Sequence, residues 1–276
     1  MDNQLEHTGS LDDKLAACKD MICSKQRVVV GFSGGVDSSL LLYLAKTSLG
    51  EANVLAVTAA GYFHHPSETA LAGKLASQLA VPWQTINMDS LQDEKIISNP
   101  PDRCYWCKKL IFSMMQDIAQ KENYSAVLSG ANADDASDFR PGLRAEDELG
   151  ILRPLLAAGI TKSEIRRLAR KFDLPNFDKP AQPCLASRIP YNTRLTKKAF
   201  EQIKAGEDIL KQHFGFDECR LRHFSHSASI ELPLDRLPLP FEIQMQIITE
   251  IRLLGFDEVS IDPHGFRSGS LNEALL

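Results

Sequence analysis

The chain lacks any apolar run approaching the roughly 20 residues that span a bilayer, so no membrane helix is expected in its 276 residues. It lacks an excess of basic charge. The net charge is −5, whereas a polyanion-binding protein usually carries a basic footprint, so a small-molecule substrate is favoured over a nucleic acid. It lacks a disulfide framework, because its six cysteines fall at uneven spacings. The first ten residues are polar and hold no signal-peptide core, so a cytoplasmic location is expected. There is no low-complexity segment. The GxxxxGK[ST] phosphate loop and its lysine are also missing.

What is present is an ordinary globular composition, 43% hydrophobic and 24% charged. Up to about Asp178 the pattern alternates strand and helix. Strands are expected at Val28–Phe32, Val54–Thr58, Thr85–Met88 and Ala126–Ser129. Helices are expected at Asp37–Ser48, Ser67–Leu79 and Lys108–Glu122, the last with Leu110, Ile111, Met114, Met115 and Ile118 near one face. Such alternation implies an α/β fold, a parallel sheet wrapped by helices, with ligands at the carboxyl ends of the strands. Ser33, Thr58 and Gly130 fall at such ends.

Asp178–Pro183 reads as a linker, so one domain is expected over 1–178 and a smaller α+β domain over 184–276. The second has helices at Thr196–Gly206 and Pro240–Leu254. Its strands are expected at Cys219–Arg222, Ala228–Leu232 and Glu258–Ile261. Phe214-Gly215-Phe216-Asp217-Glu218 is echoed by Leu254-Gly255-Phe256-Asp257-Glu258, each a helix end closed by glycine. The basic cluster Lys162–Lys171 has helical spacing and reads as a solvated helix face.

Ser33-Gly34-Gly35-Val36-Asp37-Ser38 follows an apolar strand and opens a helix. Glycines let backbone N–H groups approach an anion, and the helix N-terminus adds about half a positive charge. Ser33 and Ser38 can add hydroxyl donors. Asp37 can reach a magnesium ion or cap the helix. Asp134, Asp135 and Asp138 follow the Ala126–Ser129 strand; clustered carboxylates need a cation such as Arg140 or the Mg²⁺ of ATP. The SGGxDS pattern resembles the PP-loop of ATP pyrophosphatases, which transfer AMP to a substrate oxygen and release pyrophosphate.

SGGVDS, CYWCKK, SGANADD, DFRPGLRA, PCLASRIPY, RLRHF and GFRSGS, in this order across nearly the whole chain, resemble the LarE family. These are ATP-dependent sulfur transferases of nickel-pincer nucleotide biosynthesis, whose finished cofactor serves lactate racemase. The resemblance implies an adenine nucleotide alpha-hydrolase-like domain in the first part. It implies a pyridinium-3,5-biscarboxylate mononucleotide substrate, one carboxylate of which is adenylated and becomes a thiocarboxylate. It also implies a sulfide source as partner and a homo-oligomer, plausibly a hexamer.

The sulfur step leaves alternatives open. Cys184 precedes Arg188 by four residues, and cationic surroundings favour a thiolate. In one version of the family a lone cysteine at the Cys184 position gives up its sulfur and becomes dehydroalanine. In the other, three cysteines hold a [4Fe-4S] cluster whose open iron carries a sulfide. This chain has cysteines at all three positions, Cys104, Cys107 and Cys184. A buried Cys104–Cys107 pair, or a zinc site completed by His64 or His65, would use the same residues.

Other site residues follow. Arg220 and Arg222 alternate on a strand and can grip a phosphate together, and the resemblance implicates both in binding the substrate phosphate. Ser187 and Arg188 stand close to the sulfur residue, and Glu207 matches a functional acidic position of the family. Lys108 follows the CxxC and can stabilise an adenylate or a thiolate. The expected set is therefore Cys184, Asp37, Lys108 and Glu207 for chemistry. Ser33, Gly34, Gly35, Ser38, Thr58, Gly130, Asp134, Ser187, Arg188, Arg220 and Arg222 are expected for binding. Trp83 and Trp106 read as packing residues, and His223 and His226 carry no assigned role.

Three rivals remain. A tRNA-thiolating PP-loop enzyme would show a basic surface and an RNA-binding element. An ammonia-using synthetase gives no reason for three such cysteines. A non-catalytic nucleotide-binding module gives none for SGGVDS with its carboxylates.

Overall fold

The structure is a computed structural model, and it describes residues 9–88, 91–137, 141–180 and 182–266. In chain order its principal elements begin with α1 (Leu11–Cys23), β1 (Val28–Gly31), α2 (Val36–Leu49), β2 (Val54–Ala60), α3 (Pro66–Gln78) and β3 (Trp83–Asn87). They continue with α4 (Glu94–Ile97), α5 (Arg103–Lys121), β4 (Ala126–Leu128), α6 (Pro141–Glu148), α7 (Pro154–Ala157) and α8 (Lys162–Lys171). The last are α9 (Lys197–Gln212), β5 (Arg220–Phe224), β6 (Ser227–Glu231), α10 (Phe241–Arg252) and β7 (Glu258–Ile261). These fall into two compact units, one within Met1–Met88 and Asp102–Gln182, the other within Asp89–Pro101 and Pro183–Leu276.

The first unit is the expected α/β layer structure. Its parallel sheet runs β3-β2-β1-β4. Both faces of β1 are covered, which is why Val28-Val29-Val30 is apolar throughout. Val28 and Val30 pack with Leu40, Leu41 and Ile165 on one side. Val29 packs with Val57, Phe112 and Met115 on the other, as the period of two requires. The chain leaves β1 outward through β2 and β3, then returns to place β4 on the opposite side of β1. The strand order therefore reverses between β1 and β4, the place where such sheets bind ligands.

Helix ends are written in the sequence. Ser10 and Asp13 form a capping box on α1, and Thr161 and Glu164 form one on α8. Glu164 also pairs with Lys14, tying the two helices.

α5 differs from expectation. It begins at Arg103, five residues before the expected Lys108, so Cys104 and Cys107 lie inside the helix rather than ahead of it. Pro100 and Pro101 cannot continue a helix inward, but nothing from Arg103 onward breaks one. Its buried face centres on Phe112, Met115 and Ala119, rotated from the expected stripe.

In the second unit β5 and β6 form an antiparallel pair, and β7 adds parallel to β6 through α10. Leu221, Ile230, Ile247 and Ile251 form its core. Gly215 and Gly255, at φ +70° and +97°, turn the chain after α9 and α10. The segment around α4 pairs with later residues of this unit: Asn192 N–H donates to Asn99 O, and Leu195 N–H to Ile97 O, each at 2.8 Å. Asp138, Arg140, Ala181 of the linker and Arg267–Ser270 of GFRSGS lie outside the described residues.

Candidate active site

A cavity of about 300 Å³ opens at the carboxyl ends of β1, β2 and β4. Among the expected residues it gathers Ser33, Asp37, Ser38, Thr58, Lys108 and Gly130. Its floor is the turn into α2. Gly35 is the N-cap of α2 and no side chain caps it, so the first N–H groups of the helix remain available to an anion. Gly34 turns at φ +74°, a conformation only glycine adopts without strain. Ser33 and Ser38 hold the turn closed, with hydroxyls 3.2 Å apart and Ser38 Oγ donating to Gly35 O at 3.0 Å. Gly130 packs closely against the start of α2: a methyl there would stand 3.1 Å from Ser38 N.

Some groups that brace this turn had no signal in the sequence. Asn176 Nδ2 donates to Gly34 O at 3.0 Å and to Ser39 Oγ at 2.9 Å. Lys162 Nζ donates to Asp37 Oδ1 at 2.6 Å, and Lys162 N–H donates to Asp134 Oδ2 at 2.8 Å. The basic cluster that read as a solvated face thus sends its first lysine to the glycine turn. The capping box at Thr161 marked the helix start but not this direction.

Thr58 is placed at the cavity, but its hydroxyl is spent on the fold. It donates to Phe32 O at 2.6 Å and accepts from Trp83 Nε1 at 2.8 Å. Lys108 enters from α5, with Nζ donating to the buried Glu146 Oε1. Asp135 also lines the cavity, and its Oδ2 accepts from Asn132 N–H at 3.0 Å.

Cys104 and Cys107 lie three residues apart on α5, hence on one helix face, and both are half-buried. Arg103 Nη2 donates to Cys104 Sγ at 3.9 Å. Among the described residues the cysteines form no disulfide. Nor do three or more His, Cys, Asp or Glu side chains gather into a metal-binding group.

The second unit carries Cys184 and the arginines. Ser187 Oγ donates to Cys184 O at 2.8 Å, and Arg188 Nη1 donates to Ser187 Oγ at 3.1 Å. Arg188 meets Glu207 through Nε and Nη2, at 2.8 and 3.3 Å. Glu207, expected to act in chemistry, is buried here as the partner of Arg188 and of Leu221 N–H. Arg222 meets Glu231 in the same forked manner, at 2.8 and 3.0 Å, and Nη1 also donates to Ser187 O. Both glutamates of the cluster are thus engaged by Arg188 and Arg222. Arg220 stands with its guanidinium 3.9 Å over the Phe266 ring. Burial, then repulsion from Arg188 and Arg222, pushes it down to about 10, so it stays charged at neutral pH. Arg188, Arg220 and Arg222 thus stand within electrostatic reach of one another and of Glu207 and Glu231.

Two cysteines are poor nucleophiles. Burial pushes the Cys18 thiol up to about 12; burial and then the Glu207 charge do the same to Cys219.

The profile of the NAD synthase family matches residues 12–99, the stretch that contains the glycine turn. The pyridinium-3,5-bisthiocarboxylic acid mononucleotide synthase of Lactiplantibacillus plantarum is 38% identical over 261 residues, covering 95% of this chain and 93% of that one. The chain belongs to the LarE family. An uncharacterized Synechocystis protein is 32% identical over 96% of the chain and 99% of its own length. A tRNA-specific 2-thiouridylase of Carboxydothermus hydrogenoformans is 26% identical, over 71% of the chain and 66% of its own length. The LarE match thus covers both units and the thiouridylase match covers less. Among the described residues no helix is long and apolar enough to cross a membrane.

Proposed function

We propose that the protein is an ATP-dependent sulfur transferase acting on pyridinium-3,5-biscarboxylic acid mononucleotide, in nickel-pincer nucleotide biosynthesis. The observation that carries this is the identity with the Lactiplantibacillus synthase along nearly the full length of both chains. The cavity at the strand ends supports it, because its uncapped helix start and glycine turn suit a triphosphate.

The chemistry divides into two displacements. A carboxylate oxygen attacks the α-phosphorus of ATP, and pyrophosphate leaves. A sulfur nucleophile then attacks the activated carboxyl carbon, and AMP leaves with the former carboxylate oxygen. In this reading Gly34, Gly35, Ser33 and Ser38 hold the phosphates. Asp37 and Asp135 offer the hard oxygen donors that Mg²⁺ takes, with Asp134 fixing the neighbouring Lys162. Lys108 and Lys162 place positive charge where the leaving pyrophosphate and the adenylate gain negative charge. Arg220, within the cluster of Arg188 and Arg222, takes the phosphate of the pyridinium mononucleotide.

Cys184, beside Arg188 and Ser187, is the sulfur position. Cys104, whose Sγ accepts from Arg103 Nη2, Cys107 and Cys184 are each of the thiolate type that ligates a [4Fe-4S] cluster. When bound, such a cluster would carry the transferable sulfide on its open iron. Without it, Cys184 would form a thioester and lose its sulfur by elimination, leaving dehydroalanine. Anaerobic reconstitution tests this, with iron and sulfide counted and the mass of Cys184 followed through turnover. Intact Cys184 through repeated turnovers with added sulfide supports the cluster. Stoichiometric dehydroalanine, with Cys104→Ala fully active, overturns it.

A further inference from the structure

The first unit contains a buried carboxylate on a charge-rich helix, where the residue pattern marks nothing unusual. Glu146 has 0% exposure. One of its oxygens accepts from Lys108 Nζ. The other, Oε2, has no hydrogen-bond partner among the described residues. A buried carboxylate is costly unless paired, so the Lys108 ammonium offsets the cost of burying Glu146.

The backbone is also shaped for this pair. Gly142 stands one turn before Glu146 on α6, and a methyl at Gly142 would stand 2.5 Å from Lys108 Cδ. The stem of Lys108 therefore lies across Gly142, in space that any other residue would fill. The next pair along the two helices has a different character. Lys109 Nζ donates to Glu148 Oε2 at 2.7 Å; the two lysines are alike at 39% and 40% exposed, but Glu148 is 40% exposed where Glu146 is fully buried. Such a pair adds little. Lys108 is the lysine of the two that lines the cavity, and it is the one given a buried counter-charge and a cleared path.

We propose that Glu146 is a positioning residue for Lys108, and that Gly142 and Glu146 together fix where the ammonium stands at the cavity wall. Glu146 does not touch substrate. It acts by removing the freedom of a long, flexible side chain, so that the charge is in place before the adenylate forms. This rests on the reading of the cavity as the ATP site.

The test is a double-mutant cycle on pyrophosphate release, run on the full chain with Lys108→Met, Glu146→Gln and the double variant. Gly142→Ala is the independent check, because it displaces Lys108 while leaving Glu146 in place. Glu146→Gln and Gly142→Ala are each expected to lower kcat by roughly tenfold, with KM for ATP changed by less than about threefold. In the Lys108→Met background the Glu146→Gln change is expected to cost nothing further. Multiplying costs, or a wild-type kcat in Glu146→Gln, overturns the inference. Labelling of Lys108 by an amine-reactive ester, read by peptide mass, gives a readout that needs no turnover. It is expected to rise in Glu146→Gln relative to the wild type, and an unchanged extent counts against the inference. A wild type that releases no pyrophosphate would instead overturn the assignment of the cavity, and the labelling result would still stand.

Discussion

Lys162 and Asp37 are 125 residues apart in sequence and meet with Nζ 2.6 Å from Oδ1. The ion pair joins the first turn of α8 to the first turn of α2 at the edge of the cavity. Neither residue belongs to the apolar core, so replacing either should spare the fold. Asp37→Ala is expected to abolish pyrophosphate release. Lys162→Ala is expected to lower it by roughly a hundredfold. The melting temperature of each should stay within about 4 °C of the wild type. Wild-type pyrophosphate release by Asp37→Ala would remove the glycine turn from the mechanism.

Thr58 separates folding from binding at the same cavity. Its hydroxyl serves Phe32 O and Trp83 Nε1. Thr58→Val leaves the Trp83 N–H without that acceptor, at a cost of about 1–3 kcal/mol. The expected result is a lower melting temperature with little change in ATP affinity. Loss of ATP affinity at unchanged stability would show that the hydroxyl binds the nucleotide instead.

The two strand arginines should part company. Arg222 and Glu231 are 8% and 5% exposed and bonded to each other. Arg222→Ala removes the forked partner of a buried carboxylate and should cost about 3–5 kcal/mol of stability. Arg220→Ala breaks neither forked pair. It should weaken binding of the pyridinium mononucleotide by about 1.5–3 kcal/mol, leaving ATP affinity unaltered. Calorimetric titration with each ligand, beside thermal melts, distinguishes the two effects. Unchanged mononucleotide affinity in Arg220→Ala would make this arginine structural.

His223 gives the second unit a pH dependence. Its Nδ1 accepts from Ser225 N–H at 3.2 Å, and Nε2 lies 3.0 Å from Gln202 Oε1. Burial lowers its pKa below the usual histidine value. The unfolded chain therefore takes up a proton first, so this stabilisation is complete above the unfolded pKa near ~6.5 and is lost as pH falls below it. Thermal melts between neutral and mildly acidic pH should show this decline. His223→Gln should make it shallower, and an identical slope would contradict the account.

Much of this was legible beforehand, and the rest was not for identifiable reasons. Val28-Val29-Val30, Gly34-Gly35 and the glycines after α9 and α10 act locally, so spacing and residue type disclose them. Lys162 and Asn176 act on a turn more than a hundred residues away, and a helix that reads as basic gives no direction for one lysine. Glu146 sits on a short helix rich in charge, where glutamates are ordinarily solvated. Its burial comes from the packing of α6 on α5, which no local pattern encodes. Strand alternation shows that Arg220 and Arg222 face the same way but not that Arg222 meets the carboxylate of Glu231 on the next strand.

The central claim is that sulfur replaces an oxygen of a carboxylate that has been activated by AMP. It is tested most directly by supplying the pyridinium biscarboxylate mononucleotide with heavy-isotope carboxylate oxygens, together with ATP, Mg²⁺ and sulfide under anaerobic conditions. Mass spectrometry of both products then follows each atom. The account predicts a thiocarboxylate and one heavy oxygen in AMP for each sulfur incorporated. AMP free of the heavy isotope, or thiolation of tRNA with the biscarboxylate left unchanged, would contradict it.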